Sequence, residues 1–195
     1  KIVKYDRLYD MAALTVVIPV YNAGSYIKAA VDSLLAECLP GLEVVIVDDG
    51  STDGALNAVE RLPVRILRQK NGGEASARNA GVKAATAAFV TFLDADDVLV
   101  PGALSARLDY LRAHPESSVV GGLPSRLIDE RGQAAAVVFE RMAEKYSFPF
   151  RLTDAFYRDG NFFPVSCSLY LYRREVFERI GFYDETLPFA PDCDF

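Results

Sequence analysis

"ALTVVIPV", residues 13 to 20, and "LEVVIVDDG", residues 42 to 50, decide the fold predicted for this chain. Both runs are rich in β-branched and apolar residues, as is typical of strands buried on both faces of a parallel sheet. Between them, "GSYIKAAVDSLLAE" places apolar residues at helical spacing, with Ser25 as the expected N-cap. Together these segments predict a β-α-β unit.

The same alternation continues along the chain and predicts an α/β fold with a mainly parallel central sheet and right-handed crossovers. Sheets of this kind bind ligands beyond the carboxyl ends of their strands. The further elements expected are a helix at 53–61, a strand at 64–68, a helix at 74–86, a strand at 88–94, a helix at 102–114, and a strand followed by a short helix ending at Gly181.

Composition narrows the class of protein. A chain of 195 residues with 51% hydrophobic content can form one sizeable core, and therefore one domain is expected over 13–195, preceded by an N-terminal extension at 1–12. A formal net charge of −6 argues against a general nucleic-acid binder, which needs excess Lys and Arg to neutralise phosphates.

Cysteine usage and hydropathy bear on the cellular setting. The three cysteines show no paired metal-ligand spacing, which fits a reduced, cytosolic protein. No segment approaches the roughly 18 to 20 continuous apolar residues of a membrane span, and the first residues lack the pattern of a signal peptide. At most a peripheral association with the inner face of the membrane is expected.

Polar residues cluster where three predicted strands end, which favours one site at this edge over three unrelated loops. The clusters are Pro19, Tyr21 and Asn22 after the first strand, Asp48, Asp49, Gly50 and Ser51 after the second, and Asp94, Asp96 and Asp97 after the fourth.

The acidic turn "DADD", residues 94 to 97, has two interpretations. Asp94 and Asp96 can converge on a divalent cation, which relieves their mutual repulsion and takes its other ligands from a diphosphate. Alternatively, Asp96 or Asp97 caps the helix that begins near Pro101. The position of the turn at a strand end favours the metal.

The other two polar segments also have two interpretations. Asp48 and Asp49 either form a turn or accept hydrogen bonds from a ligand's ring N–H or ribose hydroxyl. In "NGGEASARNAG", residues 71 to 81, Gly73 stands where backbone N–H groups can meet an anion. Arg78 either approaches a phosphate or is an exposed helix-face arginine. The segment matches neither the G-x-G-x-x-G nor the G-x-x-x-x-G-K-[ST] pattern.

His114 is the only histidine and is expected at a helix end or on the surface, so a general base has to be a carboxylate. Four acidic residues late in the chain are candidates for it. They are Asp184, Glu185, Asp192 and Asp194.

Taken together, these motifs resemble the family 2 glycosyltransferases of GT-A fold, a Rossmann-like three-layer α/β/α architecture. The resemblance rests on "TVVIPVYNAGSYIKAAVDSLL", "EVVIVDDGSTDG", "NGGEASARNAGVKAATAAFVTFLDADDVLVP" and "GFYDETLPFAPDCDF", and it covers residues 14–101 and 165–195. It implies inverting transfer of a sugar from a nucleotide diphosphate donor, most often a UDP-sugar, with Mn²⁺ or Mg²⁺, to a saccharide, lipid-linked or other hydroxyl acceptor.

The resemblance also implies roles for individual residues. Asp94 and Asp96 match the family's D-x-D, with Asp96 the better candidate for metal contact and Asp94 for ribose or metal. The nucleotide-binding set is Pro19, Tyr21, Asn22, Asp49, Gly73, Arg78, Asp94 and Ala95, with Asp49 contacting the base.

The catalytic base of the family lies in a Glu-Asp pair that follows a G-x-x-D-E segment. Here "GFYDE" occupies 181 to 185, but the pair reads Pro191-Asp192. Asp192 is therefore the expected base and Asp194 the alternative. The resemblance implies a nucleotide-binding half at about 13–101 and an acceptor and catalytic half at about 102–195 that is truncated at its C-terminal end.

Two rival functions are compatible with the same edge of the sheet. A nucleotidyltransferase is disfavoured because "PVYNAGSY" carries no basic residue before Lys28. A nucleotide-binding or scaffold module that has lost activity is suggested by Pro191. The favoured prediction is a glycosyltransferase of polysaccharide or glycoconjugate biosynthesis.

Overall fold

A computed structural model describes residues 13–122 and 167–187, and the backbone of two short strands at 127–128 and 134–135. In chain order the elements are β1 (Leu14–Val20), α1 (Tyr26–Ala36), β2 (Leu42–Asp48), β3 (Arg65–Arg68), α2 (Glu74–Ala84), β4 (Phe89–Phe92), α3 (Ala103–Ala113), β5 (Val119–Gly121), β6 (Leu127–Ile128), β7 (Ala134–Ala135), β8 (Tyr170–Arg173) and α4 (Glu175–Ile180).

The main sheet has six strands in the order β3-β2-β1-β4-β8-β5. The pairs β1–β2, β1–β4 and β2–β3 are parallel, whereas β8 is antiparallel to both β4 and β5. Within this sheet, β8 therefore runs against the other five strands. This arrangement confirms the predicted α/β fold with a mainly parallel sheet.

Helices cover both faces of the sheet. Apolar residues of β1 and β2 that point to one face pack against α1 and α3, through residues such as Ile27, Leu34 and Leu108. On the other face, Val17 and Val45 pack with α2 and α4. Because side chains alternate between faces, one strand supplies both cores. This explains why the strand sequences are apolar throughout.

Helix α2 approaches the sheet closely at Gly81. A Cβ at this position would lie 2.1 Å from Val17 Cγ1 of β1. Only a glycine therefore allows the backbone of α2 to lie so near the strand. The depth of this helix fixes where its N-terminal turn meets the carboxyl edge of the sheet.

One local prediction is wrong, and another is confirmed in position only. The helix expected at 53–61 is a single 3-10 turn, Ala55–Ala58. The Asp53 carboxylate accepts hydrogen bonds from the backbone N–H groups of Ala55 and Gly24, and Gly54 has a φ of +75°, so this segment follows a turn path. Ser25 stands at the start of α1 but makes no side-chain capping hydrogen bond.

Candidate functional site

The loops after β1 and β2 are joined by hydrogen bonds at the carboxyl edge of the sheet. The Asn22 N–H donates to Ser51 Oγ at 3.0 Å, and Asn22 Oδ1 accepts from the Thr52 N–H at 2.8 Å. Asn22 has a φ of +52°, a left-handed conformation that asparagine tolerates better than most residues. Asn22 therefore fixes the two loops as one unit.

Asp49 connects β2 to the start of α2. Its buried carboxylate accepts hydrogen bonds from Gln69 Nε2 (2.8 Å), the Gly72 N–H (2.8 Å) and the Gly73 N–H (2.9 Å). Two of these donors are backbone groups of the glycine pair, in which Gly73 has a φ of +88°. The neighbouring Asp48 accepts the Ser51 N–H at 2.8 Å. Each of the adjacent acids thus organises a different loop.

Arg78 is fully buried, so the second of its two interpretations, an exposed helix-face arginine, is wrong. Its Nη2 donates to Glu74 Oε1 at 2.5 Å and to Asp94 Oδ1 at 3.1 Å. The guanidinium carbon also lies 5.9 Å from the ring centroids of Phe92 and Tyr183. Carboxylate pairing and aromatic contact offset the cost of burying this charge.

The acidic turn lies beside Arg78, directly after β4. The Asp94 N–H donates to Ser168 Oγ at 2.9 Å, and the Asp97 N–H donates to the Asp94 carbonyl at 3.0 Å. Desolvation and the negative charge of Asp94 raise the pKa of Asp97, with a smaller contribution from Asp96 and an opposing hydrogen bond from Ser168. The three carboxylates are therefore close enough to repel one another.

The negative charge of the acidic turn suits a divalent cation, although the carboxylates of the turn alone do not complete the coordination of a metal ion. Within residues 13–122 and 167–187, no three acidic, histidine or cysteine side chains are grouped so as to hold a metal ion. Asp94 is partly buried and Asp96 is exposed at the same edge. Two such carboxylates suit Mg²⁺ or Mn²⁺ when a diphosphate and water supply the remaining oxygens.

The structure describes two of the four candidates for the general base. Asp184 accepts hydrogen bonds from the N–H and hydroxyl of Thr186, which lower its pKa and make it a weak base. Glu185 Oε1 accepts from Asn79 Nδ2 at 2.8 Å. Asp192 and Asp194 lie outside the described residues.

The remaining predicted residues lie near this network without joining it through side chains. Pro19 is half-buried in β1, Tyr21 is 57% exposed just after it, and Ala95 is half-buried between the two acids of the D-x-D. By contrast, hydrogen bonds link Asp49 to Gly73 and Arg78 to Asp94.

Two residues of this network were not identified from the sequence. Ser168 contacts the backbone of Asp94 from 74 positions away, and Asn79 contacts Tyr183 from 104 positions away. Neither lies in a recognisable spacing pattern. The "SLY" and "RNAG" contexts give no local signal, because the partners meet only in the folded sheet.

The fold places the chain among GT-A glycosyltransferases. TarS residues 1–349 from S. aureus superpose with a TM-score of 0.66 at 25% identity, over 92% of this chain and 52% of that one. The mannosyltransferase PcManGT from Pyrobaculum calidifontis, in complex with GDP-Man and Mn²⁺, superposes with a TM-score of 0.67 at 25% identity, over 92% and 49%.

The sequence identifies the family within that class. The model of glycosyl transferase family 2 matches residues 15–181, and the chain belongs to this family. A curated relative, the uncharacterized glycosyltransferase EpsJ of Bacillus subtilis, is 32% identical over 190 residues, which is 93% of this chain and 54% of EpsJ. The chain thus spans about half the length of these relatives.

Among the residues that the structure describes, no helix combines the length and apolar character needed to cross a membrane.

Proposed function

We propose that this chain carries the donor site of an inverting glycosyltransferase that moves a sugar from a nucleotide diphosphate to a hydroxyl acceptor in polysaccharide or glycoconjugate biosynthesis. The observation that carries the proposal is the polar network at the carboxyl edge of the sheet. It includes Asn22, Asp49, Gly73, Arg78 and Asp94, where α/β sheets bind their ligands. The family of the chain supports the same activity.

The nucleotide would lie across the first two loops. Tyr21 is exposed beside Asn22 and Pro19, and these residues would line the nucleotide pocket. Asp49 has three hydrogen bonds, and a carboxylate offers about four acceptor sites, so it can still accept one bond from the base. Gly73 would hold Asp49 in place, because its N–H donates to that carboxylate, and Ala95 would approach the ligand through its backbone.

The donor is proposed to be a UDP-sugar, following the resemblance to the family. PcManGT was solved with GDP-Man and Mn²⁺, and TarS 1–349 was solved with UDP-GlcNAc at 24% identity to this chain, which supports the fold alone. GDP-sugars are therefore the alternative donors.

Asp94 and Asp96 would hold Mn²⁺ or Mg²⁺ against the diphosphate. The cation, when bound, offsets negative charge on the departing diphosphate. The chain contributes the orientation of Asp94, which contacts Arg78 through its carboxylate and Ser168 through its N–H. Asp96 has the exposure needed to contact a ligand from solution.

Asp192 would act as the general base. A carboxylate at this position would take the acceptor hydroxyl proton while that oxygen attacks the anomeric carbon and the bond to the diphosphate breaks. One displacement of this kind inverts the anomeric centre without a covalent enzyme intermediate. This assignment divides the chain into a nucleotide half at 13–101 and an acceptor half at 102–195, and we place the reaction in the cytoplasm or at the inner membrane face.

The base assignment is tested by Asp192→Asn, which we expect to keep donor affinity and to lose at least about a hundredfold in transfer rate, as removal of a general base does. Asp194→Asn is the matched control. Normal transfer by Asp192→Asn with loss in Asp194→Asn would move the base to Asp194.

The decisive experiment for the function is calorimetric titration of UDP, GDP and ADP into the chain, first with Mn²⁺ and then with EDTA. Metal-dependent preference for one nucleotide supports the donor site and identifies the nucleotide. Binding without any turnover of the matching nucleotide sugar would support an inactive nucleotide-binding module. Absence of binding by all three nucleotides would contradict the proposal.

A further inference from the structure

Asn79 makes three side-chain hydrogen bonds to a distant segment of the chain. Its side chain on α2 is buried, with 2% exposure. Oδ1 accepts from the Tyr183 N–H at 3.0 Å, while Nδ2 donates to the Tyr183 carbonyl at 2.9 Å and to Glu185 Oε1 at 2.8 Å. The carboxamide thus pairs with both backbone groups of Tyr183, and only Asn or Gln carries a neutral acceptor and two donors on one group.

The helix that carries Asn79 also organises the donor edge, by which we mean the carboxyl edge of the sheet where the donor site is proposed. Arg78, the preceding residue, contacts Asp94, and the first turn of α2 begins at Gly73, whose N–H contacts Asp49. The Tyr183 ring lies against the Arg78 guanidinium, 5.9 Å from centroid to carbon. A rigid helix therefore connects the predicted donor site with residues 183–185.

This connection matters because residues 183–185 lead into the segment that carries Asp192. On the basis of the proposed function, we propose that Asn79 is a positioning residue for transfer: it fixes residues 183–185 relative to the donor edge, and so fixes where the chain leading to the base begins. Asn79 is buried, and its side chain is hydrogen-bonded to Tyr183 and Glu185. Its loss should therefore lower turnover and leave donor affinity unchanged.

Two substitutions at Asn79 separate the possible roles. Asn79→Ala removes all three hydrogen bonds. Asn79→Asp keeps the shape and one acceptor but removes both donations and sets a carboxylate against Glu185. In N79D/E185Q the amide introduced at position 185 can donate to the carboxylate at position 79, so this double variant should restore part of the contact. The single variant E185Q completes the double-mutant cycle.

Lys83→Ala is the matched control. Lys83 lies on the same helix and its ammonium is 5.0 Å from the ring centroid of Phe182, so it contacts the same segment from the exposed side. A general loosening of this interface would appear in both variants. If the effect is specific to Asn79, Lys83→Ala should keep the wild-type exchange rate at Tyr183 and the wild-type turnover.

The first readout is amide hydrogen exchange at Tyr183, whose N–H donates to Asn79. In N79A we expect this amide to exchange at least about tenfold faster, as the loss of a buried hydrogen bond implies, whereas N79D keeps the acceptor and should change the exchange rate less. Amides of β1 should be unchanged in both variants. Unchanged exchange at Tyr183 in N79A would overturn the proposal without bearing on the proposed function.

The second readout is binding and turnover with Mn²⁺, using UDP and UDP-GlcNAc, or GDP and GDP-mannose if the wild type prefers GDP. We expect nucleotide Kd and donor KM within about twofold of wild type, kcat lowered at least about tenfold, and partial recovery of kcat in N79D/E185Q. A tenfold loss of nucleotide affinity, or an unchanged kcat, would overturn the positioning role. Absence of nucleotide binding by the wild type would instead overturn the proposed function.

Discussion

At the scale of single residues, the acidic groups of this edge have different tasks. Asp49 is buried and accepts three hydrogen bonds from the segment before α2, so its carboxylate is required for loop structure. Asp96 is exposed, and the Asp94 carboxylate contacts Arg78. Because removal of a buried acceptor leaves its donors unsatisfied, we expect substitutions of Asp49 to affect folding in addition to the proposed base contact. We expect substitutions of Asp96 to affect ligand binding alone.

The metal assignment of Asp96 gives the first prediction. Asp96→Asn should lower the affinity for UDP in the presence of Mn²⁺ by at least about tenfold, since one charged oxygen ligand is lost. Stability should stay within about 0.5 kcal/mol of wild type because the side chain is exposed. Calorimetry and thermal unfolding measure the two effects.

Asp109→Asn is the control for that experiment, since Asp109 is another exposed aspartate, 74% accessible, on α3. Unchanged Mn²⁺-dependent binding by Asp96→Asn would show that the cation is bound elsewhere. Equal losses in both variants would point to net charge rather than coordination.

Glu43 gives a prediction about pH. Its Oε2 accepts hydrogen bonds from Thr15 Oγ1 (2.6 Å), the Thr86 N–H (3.0 Å) and Thr86 Oγ1 (2.9 Å). Partial burial acts to raise the pKa of Glu43, but these bonds and the charge of Arg65 outweigh it and lower the pKa. The stabilisation is therefore present above the unfolded pKa of about 4.3 and is lost as pH falls through the lower folded pKa.

We expect Glu43→Gln to lower the free energy of unfolding by about 1 to 2 kcal/mol at pH 7, because the charged acceptor is lost. The difference in the free energy of unfolding between Glu43→Gln and wild type should narrow below about pH 4, because Glu43 of the wild type then becomes protonated and loses its charge. Denaturant unfolding at pH 7 and at about pH 3.5 measures it. A difference that is independent of pH would contradict the role of the charge.

At the scale of elements, the sequence predicts the strands and helices whose apolar pattern reflects burial. β1 and β2 agree with prediction to within two residues at each end, because a strand buried on both faces must be apolar throughout. The helix expected at 53–61 was wrong because Asp53 and Gly54 make local turn contacts that periodicity does not encode.

The contact of α2 with β1 gives a prediction at this scale. In an exposed helix, Gly→Ala stabilises by roughly 0.5 to 1 kcal/mol. Gly81→Ala should instead destabilise by about 1 to 3 kcal/mol, because the new methyl group meets Val17 Cγ1 at 2.1 Å. Chemical denaturation of the variant measures the change, and a stabilised variant would contradict the close approach of helix and strand.

A double variant identifies the cause. Val17→Ala removes the two methyl groups that lie nearest the added Cβ, at 2.1 and 2.9 Å. Val17→Ala alone loses core packing. If the clash explains the effect of Gly81→Ala, the double variant is more stable than the sum of the two single losses predicts. Strict additivity would attribute the loss to something other than this contact.

At the scale of the whole molecule, the site unites parts of the chain that lie far apart. The sequence predicts that Asp49, Asp94 and Asp96 lie at one edge of the sheet, because parallel strands end there. The burial of Arg78 and the contacts of Ser168 and Asn79 were not found, because they depend on β8 and residues 183–185 returning to that edge. Such pairings are set by topology and leave no short-range pattern.

Ligand binding should therefore stabilise the molecule as a whole. With UDP and Mn²⁺ at about 100 times Kd, mass action adds about 2.7 kcal/mol to the free energy of unfolding. For a domain of this size that corresponds to a rise in Tm of roughly 5 to 10 °C. EDTA should abolish the rise. A rise in Tm that persists in EDTA would show that the nucleotide binds without the metal.

The reversed strand β8 has a consequence for biosynthesis. β4 pairs with β8, and Thr91 donates to the Tyr170 carbonyl 79 positions later. At about 5 to 20 residues per second, a ribosome delivers that partner roughly 4 to 16 seconds after β4 itself. During this interval β4 is an open edge of a nascent four-stranded sheet, the kind of surface that pairs with other chains. The strand that covers this edge, β8, is thus the one on which protection from co-translational aggregation depends.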